Sequence, residues 1–316
     1  MIEPLIADDK SVKTLYMTIY SFHMPAFIVI SGMLSRAELN QKSVLKTVGA
    51  VLVPFVVFTL FYELFEYVTT GHPSSYLKNL RPYWMLWFLY SLFIWKMILP
   101  LFLRVSYPVT VSIALSLAAG YFESIGYFLG VSRTIYFFPF FVVGHKMTHK
   151  RLREMRIKYS GLLFRMFFSG IIVMNVLFFA AFDGIEEKWL YGSFSYSKLG
   201  YEGLDGLMMR ALLLLMAFST LFSFLMLVPN SKNRLFSRGK NSLYVYVWHG
   251  FFIKVFVGIG LVSMVAQLPL WIALSVFFIV SALLTLLLSR DFIAEKTHRL
   301  FFAPVERMIY KKLDKN

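Results

Sequence analysis

Long apolar runs separated by short polar connections dominate this chain from about residue 15 onward. Several runs have about 20 residues and few charges, which is the length that an α-helix needs to cross a bilayer. The pattern therefore predicts an all-α polytopic membrane helix bundle of about nine passes. The predicted passes are residues 15–34, 48–68, 83–103, 108–122, 127–147, 162–182, 207–228, 243–262 and 265–289.

No soluble domain, internal repeat or low-complexity segment interrupts these passes. Residues 1–289 are therefore interpreted as one transmembrane domain, and residues 290–316 as a basic, amphipathic cytoplasmic tail. The segment MIEPLIADDKSVKT at the start lacks the charged beginning and apolar core of a cleavable signal peptide.

The composition agrees with a lipid environment. Of the 316 residues, 58% are hydrophobic and 18% are aromatic, which is more apolar surface than one soluble core of this size can bury. The net charge of +15 does not indicate nucleic acid as a partner, because the basic residues form short clusters between apolar runs. The absence of cysteine excludes disulfides and thiol nucleophiles, and no metal-ligand spacing is present.

Lys and Arg are concentrated on one side of the predicted bundle. The connections 36–46, 146–158 and 230–240, together with Arg104 and the tail, hold 21 of them, against seven on the opposite side. The longest opposite loop, 183–206, has five acids and two lysines. The positive-inside rule therefore predicts a cytoplasmic C-terminus in a cell membrane, in bacteria the plasma membrane. Nine passes then leave the N-terminus outside, so we expect either one miscounted pass or a missing first helix.

Ionisable groups inside a bilayer are costly, so each one in a predicted pass is a candidate for function or for an ion pair. Lys96 and Arg165 lie towards cytoplasmic ends, where their side chains can reach water. The basic loop around His145 and His149 either meets the phosphates of a nucleotide-like donor or simply sets the topology. The groups inside the passes are His23, Glu63, Glu66, Lys96, His145, Arg165, Arg210, His249 and Lys254.

Two histidines are candidate acid or base groups. His23 lies roughly 12 Å below the predicted outer surface, and Pro25 is expected to kink the helix around it. His249 lies nearer the membrane centre and precedes Gly250, which permits the close approach of another backbone. Imidazole titrates near neutral pH, so either ring suits proton transfer at a cavity. Each ring can equally be a structural hydrogen-bonding group between helices.

Three further residues are candidates for binding at the outer side. The guanidinium of Arg133 can hold a carboxylate, a phosphate or a carbonyl oxygen, or it can lie at the interface and reach water. Trp84 and Trp87 can stack on sugar rings, or they can belong to an aromatic belt at the membrane surface.

Glu63 and Glu66 share one face near the outer end of the second pass, because they are three residues apart. They are predicted either to form structural ion pairs with Arg210 or Lys254, or to contact the substrate as a carboxylate pair. The structural pairing is the favoured interpretation.

Four segments together resemble one family of membrane proteins. SFHMPAFIVISGMLS (21–35) is similar to the Ser-Phe-His-Met-Pro-Leu-Phe…Ser-Gly motif of the membrane acyltransferase-three family, in its branch of fucose 4-O-acetylase-like proteins. Later motifs of that branch resemble YWMLWFLYSLF (83–93), SRTIYFFPFFVVGHK (132–146) and SLYVYVWHGFF (242–252), in the same order.

The resemblance implies a ten-helix integral membrane enzyme. It would move an acyl group, usually acetyl, from cytoplasmic acyl-CoA to a hydroxyl of an extracytoplasmic or lipid-linked sugar, for example in capsule or exopolysaccharide. Acetyl-CoA is then a donor substrate and not a bound cofactor. The motifs place His23, Arg133 and His249 around the cavity, where a base for the hydroxyl and a cation for the oxyanion suit acyl transfer.

The family's first helix has no match in this sequence. That helix carries an Arg followed by a Gly-His pair, whose histidine is the usual candidate for the catalytic base. The resemblance therefore implies that this chain lacks the first helix, in agreement with the count of passes.

Two alternatives to an acyltransferase use the same features. A transporter or flippase for a sugar or lipid-linked intermediate would share the buried histidines and the aromatic residues, as would a non-catalytic member of a polysaccharide assembly complex. Neither of them needs an acyl donor. Nothing in the sequence indicates an oligomeric state.

Overall fold

The computed structural model describes residues 9–123, 128–229 and 237–313. All regular secondary structure in these ranges is helical, which confirms the predicted all-α class. The first eight residues and most of the predicted basic connection 230–240 lie outside the described residues.

Thirteen helices are labelled here in chain order. The second contains a π-helical turn at Val48–Leu52, and the third begins with a 3-10 turn at Trp84–Leu86. The helices are α1 Lys10–Met33, α2 Gln41–Thr70, α3 Trp84–Phe102, α4 Pro108–Ala118, α5 Val131–Lys146, α6 His149–Lys158, α7 Leu162–Ala181, α8 Gly203–Leu227, α9 Ser242–Gly258, α10 Leu261–Ala266, α11 Leu270–Leu288, α12 Asp291–Thr297 and α13 Ala303–Leu313.

Within the described ranges, six helices are long and apolar enough to cross a membrane: α1, α2, α3, α7, α8 and α11. The chain is therefore a multi-pass membrane protein. The other three predicted passes correspond to α4, α5 and α9, which have 11, 16 and 17 residues. The lengths of these three helices are at or below the roughly 17 residues needed to cross a bilayer. That α4, α5 and α9 cross the membrane therefore stays a prediction.

Helix α5 lies in the centre of the bundle, packed against α1, α3 and α4. Its aromatic residues from Tyr136 to Phe141 are at most 4% exposed. Helix α1 continues as a helix through the buried Pro25, with no break at the predicted kink.

The closest approach between α1 and α5 depends on two glycines. A Cβ atom at Gly32 would lie against the carbonyl oxygen of Phe141, and one at Gly144 would lie against the carbonyl oxygen of Val29. Only glycine lets two helix backbones meet in this way.

The segment 188–199 of the predicted acidic loop is folded into the end of the bundle, and we call it the inserted loop. Its Trp189 and Tyr196 are 3% and 2% exposed. The Tyr196 backbone N–H donates to the Gly120 carbonyl at 2.7 Å, and its hydroxyl donates to the Leu117 carbonyl at 2.7 Å. The loop is therefore part of the packed structure and not a surface connection.

The predicted tail is helical and is attached to α9. The amide of Asn241 and the ammonium of Lys240 reach one oxygen of Asp291, at 2.8 and 2.9 Å, and Trp248 donates to Thr297 at 2.9 Å. These donors hold the pKa of the Asp291 carboxyl below its ordinary value. These contacts therefore stabilise the folded protein fully above the ordinary pKa of an aspartate side chain. Their contribution is lost as the pH falls through the lowered pKa of Asp291.

Candidate functional site

A small cleft brings together three of the predicted site residues, Trp84, Trp87 and Arg133. Its volume is about 120 Å³. We call it the arginine–tryptophan cleft, and it is lined by Tyr76, Arg81, Pro82, Trp84, Trp87, Gly130 and Arg133. The lining comes from the connection before α3, the start of α3 and the start of α5, so segments distant in sequence create the site.

Arg133 is held in this cleft by two contacts. Its Nε donates a hydrogen bond to the hydroxyl of Ser193 in the inserted loop. Its guanidinium carbon lies 5.3 Å from the centre of the Trp87 ring, which is a cation–π contact. Trp87 is itself stacked on Phe137, with ring centres 5.2 Å apart. The guanidinium therefore has a defined position instead of extending freely to the membrane surface.

The backbone around the cleft is strained. Leu80, Trp84 and Leu129 have positive φ angles of 49°, 29° and 48°, a region that residues with a side chain rarely adopt. Each such residue costs on the order of 1–3 kcal/mol, and strain of this kind clusters at functional sites. The Leu129 N–H donates to the Leu80 carbonyl at 3.1 Å, which joins the connection that carries Arg81 to the one that precedes Arg133 on α5.

His23 lies on α1 beside a cluster of tyrosines. Its Nδ1 is 3.1 Å from the Ile19 carbonyl oxygen, and its ring packs edge-on against Tyr20 with centres 4.7 Å apart. Tyr20 in turn contacts Tyr191 of the inserted loop at 5.2 Å. The loop thus connects the surroundings of His23 to Ser193, the partner of Arg133.

His249 lies on α9, a helix that contacts the first turn of α3. Its Nδ1 is 3.1 Å from the Val245 carbonyl oxygen, and its ring centre is 6.0 Å from that of Tyr246. The Tyr246 hydroxyl donates to the Met85 carbonyl, next to Trp84. The atoms closest to Gly250 belong to side chains and not to the predicted backbone: they are the Met85 sulfur and the Tyr62 hydroxyl.

The two histidines have the same tautomer when neutral. A carbonyl oxygen only accepts hydrogen bonds, so Nδ1 carries the proton in both rings and Nε2 presents a lone pair. Such a ring can take a proton from a hydroxyl group. His23 and His249 make no hydrogen bond or ring contact with each other in the described ranges. They are therefore two separate candidate bases and not a catalytic pair.

The two glutamates lie outside the cleft lining and form structural contacts. Glu66 pairs with Lys254 at 2.8 Å and accepts a hydrogen bond from Tyr83. Glu63 accepts hydrogen bonds from the hydroxyl and backbone N–H of Ser74, at 2.5 and 3.3 Å. The predicted structural pairing with Lys254 is confirmed.

Of the two predicted partners, Lys254 is the one found, and Arg210 lies instead beneath the inserted loop. It is 1% exposed and sits between the rings of Tyr136 and Tyr196, at 5.3 and 4.7 Å. Its Nη2 donates to the Phe194 carbonyl at 2.7 Å. Arg210 therefore secures the loop that positions Arg133.

We expect Lys254→Met to destabilise the protein by about 2 kcal/mol, because it leaves the Glu66 carboxylate half-buried without its cation. The two side chains are 28% and 22% exposed, so the loss is smaller than for a fully buried pair. The double variant Glu66→Gln with Lys254→Met should recover most of the stability in thermal unfolding. Additive losses in this double-mutant cycle would show that the two residues do not interact.

A second cavity lies at the other end of α2 and α3, with a volume of about 290 Å³. We call it the basic pocket, and it is lined by Leu34, Arg36, Glu38, Ser43, Lys46, Thr47, Ala50, Val51, Lys96 and Met97. Arg36, Lys46 and Lys96 form no ion pair with any residue in the described ranges. The Nδ1 of His145 is 3.0 Å from the Ser35 carbonyl oxygen, next to this pocket.

The basic pocket was not predicted from the sequence. The sequence predicts that the Lys96 side chain reaches water, and it leaves open whether the loop around His145 and His149 meets donor phosphates or only sets the topology. Lys46 and Lys96 are 50 residues apart in the chain, so only the packing of α2 against α3 shows that they share a cavity. Two features of the sequence could have indicated this pocket: Lys96 at a predicted cytoplasmic helix end, and the basic connection 36–46 on the same side.

Comparison with known proteins identifies the family. A family model described as an acyltransferase domain matches residues 4–290, which is nearly the whole chain. No curated protein and no solved structure matches the chain. The matched residues include all the helices that build the cleft and the basic pocket. Because the family model matches nearly the whole chain, this integral membrane protein belongs to the membrane acyltransferase-3 family.

Proposed function

We propose that this acyltransferase moves an acyl group, in the first instance acetyl, from cytoplasmic acetyl-CoA to a hydroxyl of a cell-surface or lipid-linked carbohydrate. The observation that supports this most directly is the placement of two different sites at opposite ends of α3. Trp84 at one end lines the arginine–tryptophan cleft, and Lys96 near the other lines the basic pocket. Twelve residues of helix separate them by roughly 18 Å.

The basic pocket suits the phosphates of acyl-CoA. Arg36, Lys46 and Lys96 present three cationic groups to one cavity, with Glu38 as the single acidic lining residue. Like charges repel each other across a small cavity, so a bound phosphate would stabilise this arrangement. Charge-based orientation places this pocket on the cytoplasmic side, where acyl-CoA occurs.

The arginine–tryptophan cleft suits the acceptor. Trp84 provides an apolar surface that matches a sugar ring, and Trp87 supports the Arg133 guanidinium, which provides donors for an oxygen that gains negative charge. The contact of Arg133 with Ser193 fixes its orientation before a substrate arrives. A preorganised donor of this kind is most effective for stabilising an oxyanion.

The proposed reaction is a direct acyl transfer. The Nε2 of His23 or His249 takes the proton of the acceptor hydroxyl, and the oxygen attacks the thioester carbonyl carbon. Arg133 stabilises the resulting oxyanion. The carbon–sulfur bond then breaks, the ester forms, and the CoA thiolate leaves and takes the proton back from the histidine. No net proton is gained or lost by the protein.

The test is transfer of label from acetyl-CoA. Membranes from cells that express this chain are supplied with acetyl-CoA labelled in the acetyl group, together with envelope glycans as acceptor. Label in the glycan fraction, removable by mild alkali as an O-ester would be, is the expected result. Glycan that crosses the membrane without any need for acetyl-CoA would instead favour the transporter, and no label at all would contradict the proposed reaction.

Substitution of the basic pocket tests the donor site. Lys46→Ala and Lys96→Ala are each expected to raise KM for acetyl-CoA about tenfold, since each removes a charge-assisted contact worth about 1.5 kcal/mol. Lys42→Ala is the matched control, because it removes an exposed lysine that is not in the pocket lining. An unchanged KM in both pocket variants would place the donor elsewhere.

A further inference from the structure

We infer that the tail helix binds the anionic lipid surface of the membrane, with apolar side chains among the acyl chains and basic side chains on the phosphate groups. The tail helix consists of α12, the π-helical turn His298–Phe302 and α13, which follow one another without a break. The inference concerns a surface that the proposed reaction does not use. It is carried by the position of the tail helix, by its exposed face and by the charge of that face.

The tail helix lies across the beginning of α9, at the end of the bundle that the charge pattern predicts to be cytoplasmic. Asn241 donates to the carboxylate of its first residue at 2.8 Å. Trp248 donates to Thr297 at 2.9 Å, and Tyr244 stacks on Phe302 with ring centres 6.1 Å apart. These contacts fall within about two turns of α9, a rise of roughly 10 Å. The tail helix is therefore placed where an interfacial helix lies, at the boundary between lipid and water.

The tail helix has one packed face and one exposed face. Its inner face is fixed to the bundle, where Phe302 is only 2% exposed. On the outer face, Phe292, Leu300 and Met308 are 62%, 66% and 63% exposed. Large apolar side chains that recur on the outer face of a helix at this boundary are suited to enter the acyl-chain region of the leaflet.

Basic side chains alternate with these apolar side chains along the outer face. Lys296, Arg299 and Arg307 are exposed, and none of them forms an ion pair with any residue in the described ranges. The ammonium of Lys296 lies 5.6 Å from the centre of the Phe292 ring, so a cation and an apolar group are presented together. A surface of this composition matches the phosphate groups and the upper acyl chains of a phospholipid leaflet.

The acidic residues of the tail helix do not neutralise this face. Asp291 pairs with Lys240 at 2.9 Å, and the Glu306 carboxylate lies 3.6 Å from the ring of His298. Among the described residues of the tail helix, only the carboxylate of Glu295 is left without such a contact. The outer face therefore carries three cations against one carboxylate. Each lysine or arginine near an anionic lipid surface strengthens binding about fivefold, so the charge favours an anionic leaflet over a zwitterionic one.

The absence of cysteine makes a direct test possible, because one introduced cysteine carries a single probe. The full chain with Leu300→Cys, labelled with an environment-sensitive fluorophore, is placed in nanodiscs of phospholipids with brominated acyl chains. Equal parts of phosphatidylcholine and phosphatidylglycerol should quench the probe about twofold or more over phosphatidylcholine alone, and added salt should reverse the difference. Equal quenching in the two lipids would overturn the inference, since the face would not recognise lipid charge. No quenching in either lipid would overturn it as well.

The residue-level test replaces the three cations of the outer face together in the labelled protein: Lys296→Gln, Arg299→Gln and Arg307→Gln. We expect quenching in the mixed lipids to fall to the level in phosphatidylcholine alone, with unchanged thermal unfolding because all three side chains are exposed. The matched control removes the same charge from exposed positions of α6 and should leave quenching unchanged: Lys150→Gln, Arg151→Gln and Arg153→Gln. Full quenching in the first variant would overturn the assignment of these cations. The readout needs no acyl donor, so it is independent of the proposed reaction.

Discussion

Gly32→Val and Gly144→Val are each expected to prevent the bundle from folding to a single state. A Cβ atom at either position meets a backbone carbonyl of the facing helix, at Phe141 or Val29, and a backbone cannot move aside as a flexible side chain can. Overpacking of a core costs about 1–3 kcal/mol or more, and the upper end applies where backbone atoms clash. The expected result is loss of the monodisperse peak in size-exclusion chromatography, or a large fall in Tm.

Gly170→Val is the matched control for this experiment. Gly170 also lies in a helix, α7, but no atom lies within 4 Å of the position that its Cβ would take. The same loss of backbone freedom and the same branched side chain are therefore introduced without a clash. If Gly32→Val and Gly144→Val unfold at the temperature of Gly170→Val, the α1–α5 crossing is not as close as described.

Arg133→Ala is expected to lower the rate of acetyl transfer about 100- to 1,000-fold while the protein remains folded. Removal of one preorganised donor to an oxyanion typically has this effect, equivalent to about 3–4 kcal/mol in the transition state. Arg133→Lys keeps the charge but loses the planar guanidinium and its contact with Ser193, so an intermediate rate is expected. Initial rates of label transfer measure the effect.

Ser193→Ala separates orientation from charge at the same site. It keeps the guanidinium of Arg133 and removes the hydroxyl that accepts its Nε hydrogen bond. We expect a smaller loss of rate than in Arg133→Ala, with unchanged thermal stability as a check on folding. Wild-type rates in Arg133→Ala would falsify the catalytic role and leave Arg133 with a structural role as the partner of Ser193.

Much of the cleft could be predicted from residue types alone. Trp84, Trp87 and Arg133 were singled out because aromatic and guanidinium groups at a predicted outer surface suit binding, and the structure places all three in one cleft. Their roles in binding and catalysis stay predictions. The same holds for the fucose 4-O-acetylase-like branch and for His23 and His249, which do not line the cleft and are connected to its surroundings by Tyr20 and Tyr246.

Ser193 was not predicted, for a physical reason. It lies in a polar connection, where a hydroxyl residue is ordinary, and nothing nearby in the sequence indicates burial. Ser193 is 1% exposed only because the inserted loop folds back over α4 and α5. The hydrogen bond between Ser193 and Arg133 joins segments that are 60 residues apart. The periodicity of apolar residues along the chain indicates local secondary structure and does not indicate which distant segments pack together.

The pattern of apolar and polar residues by itself determined the all-α class and the positions of the six helices that are long enough to cross a membrane, α1, α2, α3, α7, α8 and α11. This is possible because a helix in lipid must satisfy its backbone hydrogen bonds within its own segment, so local composition is sufficient. Only the tertiary structure decided that α5 is central, that Gly32 and Gly144 set its distance from α1, and that the inserted loop positions Arg133. Those features depend on which segments pack together, since shape and hydrogen-bond partners across the bundle come from residues far apart in the chain.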